Sequence, residues 1–247
     1  MLNAQAIAAW SPNLADAVEA VLDAGEFPIV LGGDCTILLG SMLALRRRGR
    51  YGLFFLDGNA DFFQPEAEPN GEAASMDLAF VTGYGPALLT ELEGRRPLVR
   101  PEDAVAFAFR DHEDQIEFGS RPLPRELRTY DLPTVRRLGV ERAARAAVDH
   151  LTGKDLDGFF IHVDGDCLDD AIMPAVDFRL PGGLSWDELG AALQIILASE
   201  KAVGLEVTIY NPRLDTDGSA GRGLADVLAT AIGSAARADR SHPPNID

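Results

Sequence analysis

Short apolar runs alternate with longer stretches of helical periodicity along most of the chain. Runs rich in aromatic and branched residues predict strands at residues 27–31, 51–56, 104–109, 128–130, 158–163 and 202–209. Between them, apolar positions that recur every three or four residues predict helices at residues 13–24, 36–48, 74–92, 135–151, 186–199 and 221–236, the third of them interrupted near Gly83 and Gly85. Strands that alternate with helices in this way are typical of a mainly parallel sheet covered on both faces. The pattern therefore predicts an α/β fold, a three-layer α/β/α sandwich with a doubly wound sheet.

The chain shows no linker and no internal repeat, so its 247 residues are interpreted as a single domain, residues 1–247. Residues 241–247 are mostly polar, and we expect this C-terminal tail to be frayed. No stretch approaches the roughly 20 apolar residues of a membrane span, and the first residues lack the pattern of a signal peptide. The two cysteines, Cys35 and Cys167, lie far apart and suggest no disulfide framework. We therefore expect a cytoplasmic protein.

The formal charge of −17, from 39 acidic against 22 basic residues, narrows the classes of partner. Such an excess of negative charge argues against nucleic acid or an anionic membrane surface as a partner. It is compatible with a cationic substrate or with metal ions, although many proteins are acidic for solubility alone.

Acidic and amide residues gather just after four of the predicted strands. They lie at Asp34 and within residues 57–61, 110–113 and 164–166. Because ligands of open α/β sheets bind beyond the carboxyl ends of the strands, these side chains are expected to converge on one crevice.

The spacing within two of these groups adds to this expectation. In one group, every second position carries a polar side chain, at Asp57, Asn59 and Asp61. The other group has the same spacing, at His162, Asp164 and Asp166. Such positions share one face of an extended segment. Carboxylates aimed into one crevice repel each other, so either their pKa values rise or cations, most simply divalent metal ions, neutralise them. The alternative is structural, because an aspartate after a strand often caps a helix or closes a turn.

Motifs in order along the chain resemble those of the ureohydrolase family, which includes arginase, agmatinase and formimidoylglutamase. They are LGGDCT at residues 31–36, DGNAD at 57–61, VDGDCLD at 163–169, PGGL at 181–184 and GLEVTIYNP at 204–212. The corresponding family patterns are GGDHS, DAHAD, FDVDxLD, PxxGGL and GLDxxEVNP. The chain is identified as an atypical, arginase-like member of the family. The resemblance implies the family's three-layer sandwich, here without the additional strand and helix with which members usually begin.

The resemblance also implies a pair of Mn²⁺ ions bridged by a hydroxide that attacks a guanidinium or amidine carbon. Carried over by position, the bridging ligands are Asp57 and Asp164, one site is completed by Cys35 and Asp61, and the other by Asn59 and Asp166. The implied partners are a small amidine or guanidino substrate and further copies of the chain in a homo-oligomer.

Cys35 and Asn59 stand where the family carries histidine ligands. Compared with imidazole, a thiolate favours Zn²⁺ or Fe²⁺ over Mn²⁺, and an amide oxygen is a weak, neutral ligand. A buried thiol and a hydrogen-bonded amide are the structural alternatives. The four aspartates and a thiolate carry more negative charge than two divalent ions offset, so either Cys35 stays a thiol or fewer ions bind. We expect one or two ions, Mn²⁺ first, with Zn²⁺ and Fe²⁺ as alternatives.

The family's proton-shuttle histidine is also missing. Glu72 or Asp77 could substitute for it, although a surface or capping role is the simpler interpretation of each. At another strand end, His112 and Glu113 are weaker candidates for a functional role.

Ile209 stands where the family places the glutamate that pairs with a guanidinium, so arginine is not the expected substrate. Glu206 is one candidate for a compensating charge. His162 could be a replacement ligand, a group that supports the ligands or an ordinary core histidine. Asp61, His162 and Glu206 are accordingly the candidate catalytic residues.

The favoured function is metal-dependent hydrolysis of a C–N bond in a linear amidine or guanidino compound other than arginine. The alternative is a non-catalytic protein of the same fold, with a degraded metal site, that binds a small molecule or partner. A metal hydrolase of another substrate type is a third hypothesis.

Overall fold

The strands form one parallel sheet in the spatial order β1-β6-β5-β2-β3-β4, in a computed structural model that describes residues 1–240. They are β1 Ile29–Leu31, β2 Tyr51–Leu56, β3 Ala104–Phe107, β4 Arg128–Tyr130, β5 Gly158–Asp164 and β6 Ala202–Thr208. The central strand β5 is buried along its whole length, as its apolar and aromatic run predicts. Because β2 lies beside β5, the acidic segments that follow these two strands leave the sheet side by side.

The α-helices of the described chain follow the predicted alternation with the strands. They are α1 Ala4–Asp23, α2 Ile37–Arg48, α3 Asp77–Val81, α4 Ala87–Thr90, α5 His112–Glu117, α6 Leu132–Leu138, α7 Val140–Thr152, α8 Trp186–Leu197 and α9 Ser219–Arg240. None of the helices within residues 1–240 is both long and apolar enough to cross a membrane.

Helices cover the sheet on both faces, and each face has its own apolar core. One core packs α7, α8 and α9 against side chains such as Phe54, and the other packs α1, α2 and α3 against side chains such as Phe55. Phe54 and Phe55 point to opposite faces because successive side chains of a strand alternate. These two cores confirm the predicted three-layer sandwich.

The helix predicted at residues 135–151 is divided into α6 and α7. Gly139 separates them with φ of 85°, a left-handed conformation that glycine adopts without a steric penalty. The interruption predicted near Gly83 and Gly85 in the helix at residues 74–92 is confirmed, because both glycines have positive φ between α3 and α4. At residues 135–151, by contrast, the apolar periodicity indicates the buried face but not the continuity of the helix.

At the N-terminal end, the first helix is longer and the first strand shorter than predicted. The helix predicted at residues 13–24 begins at Ala4 instead, so Pro12 lies inside α1. The strand predicted at residues 27–31 begins at Ile29, after Pro28, whose missing N–H cannot join the ladder. The frayed tail predicted at residues 241–247 lies outside the described residues.

Candidate metal centre

Five buried aspartates meet at the carboxyl edge of the sheet, on the side covered by α2 and α3. This group, the acidic cluster, comprises Asp57, Asp61, Asp77, Asp164 and Asp166. Asp61 and Asp166 retain 8% and 5% of their exposure and the other three at most 1%, so the cluster opens to solvent on the side of these two residues. The structure thus brings together the predicted carboxylate ligands after β2 and β5 in one place.

Cys35 lies against Asp164 in the interior of this region. Its Sγ donates to Asp164 Oδ2 at 2.8 Å and also lies 3.3 Å from Thr208 Oγ1. The Thr208 hydroxyl donates to the same Asp164 oxygen at 3.2 Å. The order of the strands explains this contact, because β6 lies between β1 and β5 and brings the segments after all three strands together.

The segment after β2 folds back onto Asp166. Gly58 N donates to Asp166 Oδ1 at 3.0 Å, and Asn59 Nδ2 donates to Asp166 Oδ2 at 2.7 Å. A Cβ on Gly58 would lie 2.4 Å from the Asp166 carbonyl oxygen, so only glycine permits this approach. Asn59 N also donates to Asp57 Oδ1 at 2.7 Å. The Asn59 amide is therefore engaged by a cluster carboxylate, and its role as a metal ligand stays a prediction.

Non-glycine residues with positive φ follow three strands at this edge. They are Asp61 with φ of 44°, Ala108 with 74° and Ile209 with 68°. A β-branched residue such as Ile209 rarely adopts this region, and strain of this kind concentrates at functional sites. The backbone geometry thus supports a functional role for the edge that also carries the acidic cluster.

Burial dominates the electrostatics of the cluster. It raises the pKa of Asp57, Asp61 and Asp164 well above the ordinary range, and repulsion from neighbouring carboxylates adds to this rise. Burial likewise raises the pKa of Asp77 to about 8 and, with the charge of Asp164, the pKa of the Cys35 thiol. These carboxyls cannot all ionise at once unless a cation offsets their charge. A divalent metal ion would provide that charge.

His162 connects the cluster to a second buried carboxylate, Glu206. His162 Nδ1 lies 2.8 Å from Glu206 Oε1, and Ser41 Oγ donates to Glu206 Oε2 at 2.6 Å. His162 Nε2 faces the cluster, 3.5 Å from Asp57 Oδ2. Burial alone would lower the pKa of His162, but the Glu206 hydrogen bond and the surrounding carboxylates raise it. Glu206 therefore serves as the partner of His162 in this structure.

Asp77 is a cluster member that follows no strand. It begins α3 and is fully buried, with Oδ1 accepting from Leu78 N at 2.7 Å and Oδ2 lacking a hydrogen-bond partner. The surface role considered for Asp77 is wrong, whereas Glu72 is exposed as that interpretation expected. The sequence places Asp77 directly before the apolar run of α3, but this position does not indicate its contact with the cluster.

Other strand-end residues have structural partners. Asp34 is exposed and its Oδ1 accepts from Thr36 N at 2.9 Å, which is the turn-closing role considered for an aspartate after a strand. Asp111 is buried but accepts from Ala60 N at 3.0 Å and from Gln115 Nε2 at 2.8 Å. His112 and Glu113 are exposed at the start of α5, apart from the acidic cluster.

The structure contains two sets of potential metal ligands, and within each set the ligand atoms lie within 4.8 Å of one another. One consists of Cys35, Asp57, His162 and Asp164, and the other of Cys35, Asp61 and Asp77. Buried atoms without hydrogen-bond partners include Asp57 Oδ2, Asp77 Oδ2 and His162 Nε2, and their residues all belong to these sets. Because a buried polar atom without a partner is costly, the donors present fit a divalent metal ion.

Comparisons with known proteins agree with this geometry. The model of the arginase family matches residues 2–233. An arginase of Bacillus caldovelox is 31% identical over 216 residues, which cover 86% of this chain and 71% of that protein. The solved arginase of Bacillus subtilis has a TM-score of 0.81 at 27% identity, over 92% of this chain and 78% of that chain.

A more distant structure agrees in fold alone. The agmatine ureohydrolase of Thermoplasma volcanium has a TM-score of 0.72 at 22% identity, over 96% of this chain and 72% of that chain. The match of the family model over most of the sequence, together with the sheet and the buried aspartates at its carboxyl edge, identifies the family. The chain belongs to the arginase family.

Proposed function

We propose that this chain is a divalent-metal-dependent hydrolase that cleaves a C–N bond of a linear amidine or guanidino compound other than arginine. The observation that carries the proposal is the acidic cluster, with its unpartnered oxygens and its opening at Asp61 and Asp166. Relatives named arginase and agmatine ureohydrolase support a small guanidino or amidine substrate. The residues proposed to hold metal are Cys35, Asp57, Asn59, Asp61, Asp164 and Asp166.

The substrate class follows from charge and from one apolar position. An amidinium or guanidinium group is a cation, and it would meet the Asp61 and Asp166 carboxylates at the open side of the cluster. Ile209 cannot form an ion pair with it, whereas the resemblance places a glutamate there in the family. We therefore expect a cationic group that is held by the cluster rather than by a residue at position 209.

When bound, a divalent ion supplies a nucleophile near neutral pH by lowering the pKa of water. In the proposed reaction the oxygen of water adds to the amidine carbon, the C–N bond breaks and the leaving nitrogen takes a proton. Asp61 is the group proposed to pass that proton on, because it lies at the opening of the cluster. Asp77, with a carboxylate oxygen within 4.8 Å of one from Asp61, is placed to share this proton.

The test begins with metal content after purification and with thermal melting, with and without Mn²⁺, Zn²⁺ or Fe²⁺. An ion that binds the folded state at 100 times its Kd stabilises it by about 2.7 kcal/mol. The metal-loaded protein is then screened for release of urea or ammonia from guanidino and amidino compounds, with arginine included. We expect a melting shift and turnover of at least one compound other than arginine.

A chain without bound metal and without a melting shift would contradict the proposal. A melting shift without turnover of any compound in the screen would favour the non-catalytic alternative, a binding protein that retains a metal site. Asp111→Asn is the control, since Asp111 is equally buried at the same edge but lies outside the acidic cluster. This variant should retain the metal-dependent melting shift.

A further inference from the structure

We propose that His162 is a metal ligand of this chain, forming an inner site with Cys35, Asp57 and Asp164, and that Glu206 positions its ring. The inference deepens the proposed function and rests on it, because it specifies how the same metal centre is built. It assigns to a strand residue the imidazole that residues 35 and 59 no longer provide. The consequence is a preference for Zn²⁺ or Fe²⁺ over Mn²⁺.

The sheet register determines where the ring lies. His162 pairs in register with Phe55 of β2 on one side and with Glu206 of β6 on the other. The Phe55 and His162 rings stack with centroids 4.5 Å apart and planes only 4° from parallel. Stacking defines the ring plane, and the 2.8 Å contact between Nδ1 and Glu206 Oε1 defines its rotation. Nε2 is thereby directed at Asp57.

The hydrogen bonds favour the tautomer that a metal requires. Glu206 receives a hydrogen bond from Ser41 Oγ at one oxygen and faces His162 Nδ1 with the other, so Nδ1 is the donor of this pair. In the neutral ring that metal binding requires, Nε2 presents its lone pair to the cluster. A histidine that donates one ring N–H to a carboxylate and binds metal through the other nitrogen is a recurrent arrangement in metalloproteins.

Nε2 faces a carboxylate oxygen of the cluster that also lacks a hydrogen-bond partner. His162 Nε2 and Asp57 Oδ2 are fully buried, lie 3.5 Å apart and have no hydrogen-bond partner among the described residues. Together with Cys35 and Asp164, these two residues form a set that offers one ligand atom each, all within 4.8 Å of one another. One cation among these four donors would provide a partner for both unpartnered atoms.

The chemistry of the set selects the ion. One sulfur, one imidazole nitrogen and two carboxylates form a donor set that suits Zn²⁺ or Fe²⁺, whereas Mn²⁺ prefers oxygen ligands. A neutral imidazole also adds a donor without adding negative charge, which matters in a site already crowded with carboxylates. Asn59, whose amide nitrogen donates to Asp166, contributes nothing to this inner set.

The experiment uses the full chain loaded with Zn²⁺ and examined by X-ray absorption, which distinguishes sulfur, imidazole and carboxylate ligands. We expect one sulfur and the outer-shell scattering of one imidazole. Zn²⁺ affinity is measured in parallel by competition with a chromophoric chelator. His162→Gln should lower this affinity on the order of 100-fold or more, and Glu206→Gln by about 10- to 100-fold, the range for loss of a carboxylate that orients a ligand histidine.

His150→Gln is the matched control, because His150 lies on α7 outside the acidic cluster, with its ring Nε2 3.2 Å from the Glu102 carbonyl oxygen. Its affinity for Zn²⁺ should equal that of the unchanged chain. The absorption measurement needs no variant, so it decides the question even if His162→Gln does not fold. Bound Zn²⁺ without imidazole scattering, or with unchanged affinity in a folded His162→Gln protein, would show that the ring is only a buried partner of Glu206.

Failure of this inference can be separated from failure of the proposed function. Hydrolysis by a metal form that lacks an imidazole ligand would overturn the assignment of His162 and leave the hydrolase proposal standing. An imidazole-bound ion in a protein that hydrolyses none of the screened compounds would support the assignment and contradict the hydrolase proposal. A higher affinity for Mn²⁺ than for Zn²⁺ would contradict the inner site.

Discussion

Asp57→Asn is expected to preserve the fold and to abolish most of the stabilisation that a divalent ion gives. Asp57 is buried, its Oδ2 has no hydrogen-bond partner and its Oδ1 accepts from Asn59 N, a bond that an asparagine oxygen can keep. The change therefore removes a charge and a ligand but little packing. At a metal concentration of 100 times the Kd of the unchanged chain, about 2.7 kcal/mol of stabilisation should fall close to zero.

In the metal-free protein, Asp57→Asn is expected to raise the stability of the fold rather than lower it. Because burial and the Asp166 charge raise the folded-state pKa of Asp57 above its unfolded value, the ionised carboxylate destabilises the fold as pH rises above about 4. Asp57→Asn should therefore raise the melting temperature of the metal-free protein at pH 8. The gain should shrink as the pH is lowered towards 4, where the native carboxyl is already protonated.

Both effects are measured by thermal melting in a chelator and in excess Zn²⁺ or Mn²⁺. The matched control is Asp111→Asn, because Asp111 lies outside the acidic cluster, has a donor for each oxygen and should keep its metal response. Equal metal-induced shifts in melting temperature in the two variants would show that Asp57 is not a metal ligand. A lower melting temperature for metal-free Asp57→Asn at pH 8 would show that the ionised cluster is satisfied without a cation.

The sequence was sufficient to predict the location of the site but not its complete membership. Asp57, Asp61, Asp164 and Asp166 follow apolar runs, and a run that ends in carboxylates marks the carboxyl edge of a parallel sheet. Asp77 follows no strand. It reaches the cluster because α3 begins beside Asp61, whose carbonyl accepts from Ala79 N at 3.3 Å, and no local pattern indicates this contact.

The neighbours within the site depend on strand order, which periodicity does not contain. Cys35 contacts Asp164 because β6, formed late in the chain, lies between β1 and β5. His162 meets Glu206 for the same reason, since their pairing is a register of β5 with β6. A two-residue spacing predicted that His162 shares a face with Asp164, but only the register shows which side of the ring faces a carboxylate partner.

Helix continuity was the least predictable feature, for a comparable reason. Gly139 breaks the helix predicted at residues 135–151, whereas Pro12, a stronger breaker in an isolated helix, lies inside α1. Packing of α1 against α2 and the Ser11 hydroxyl bond to the Ile7 carbonyl at 2.8 Å support the helix around Pro12. Tertiary contacts thus decide whether a local breaker acts.

The largest loss of stability is expected from a single methyl group at Gly183. A Cβ there would lie 2.3 Å from the Leu168 carbonyl carbon and 2.5 Å from Asp169 N. These are backbone atoms of the segment that follows the acidic cluster, and they cannot rotate away as a side chain can. Overpacking of this kind costs typically 1–3 kcal/mol, so Gly183→Ala should lower the free energy of unfolding by about 3 kcal/mol or more.

The same substitution at Gly190 should have the opposite sign, which makes the pair a sharp test. Gly190 lies inside α8, and outside the backbone of that helix a Cβ would come nearest to Val227 Cγ1, at an ordinary contact distance of 3.8 Å. Alanine in a helix interior is favoured over glycine by roughly 0.5–1 kcal/mol, so Gly190→Ala should stabilise the chain by about that amount. Urea unfolding of both variants measures the two free energies.

Gly183→Ala should also weaken the metal centre, because Leu184 N donates to the Cys167 carbonyl at 2.8 Å and Asp169 N to the Leu184 carbonyl at 2.9 Å. These bonds hold the residues that follow Asp166, so a displaced Gly183 segment should move Asp166 with them. Zn²⁺ affinity is expected to fall in folded Gly183→Ala and to stay unchanged in Gly190→Ala. Unchanged stability and affinity in both variants would mean that the backbone here yields freely and that the close approach of the two segments contributes nothing to the site.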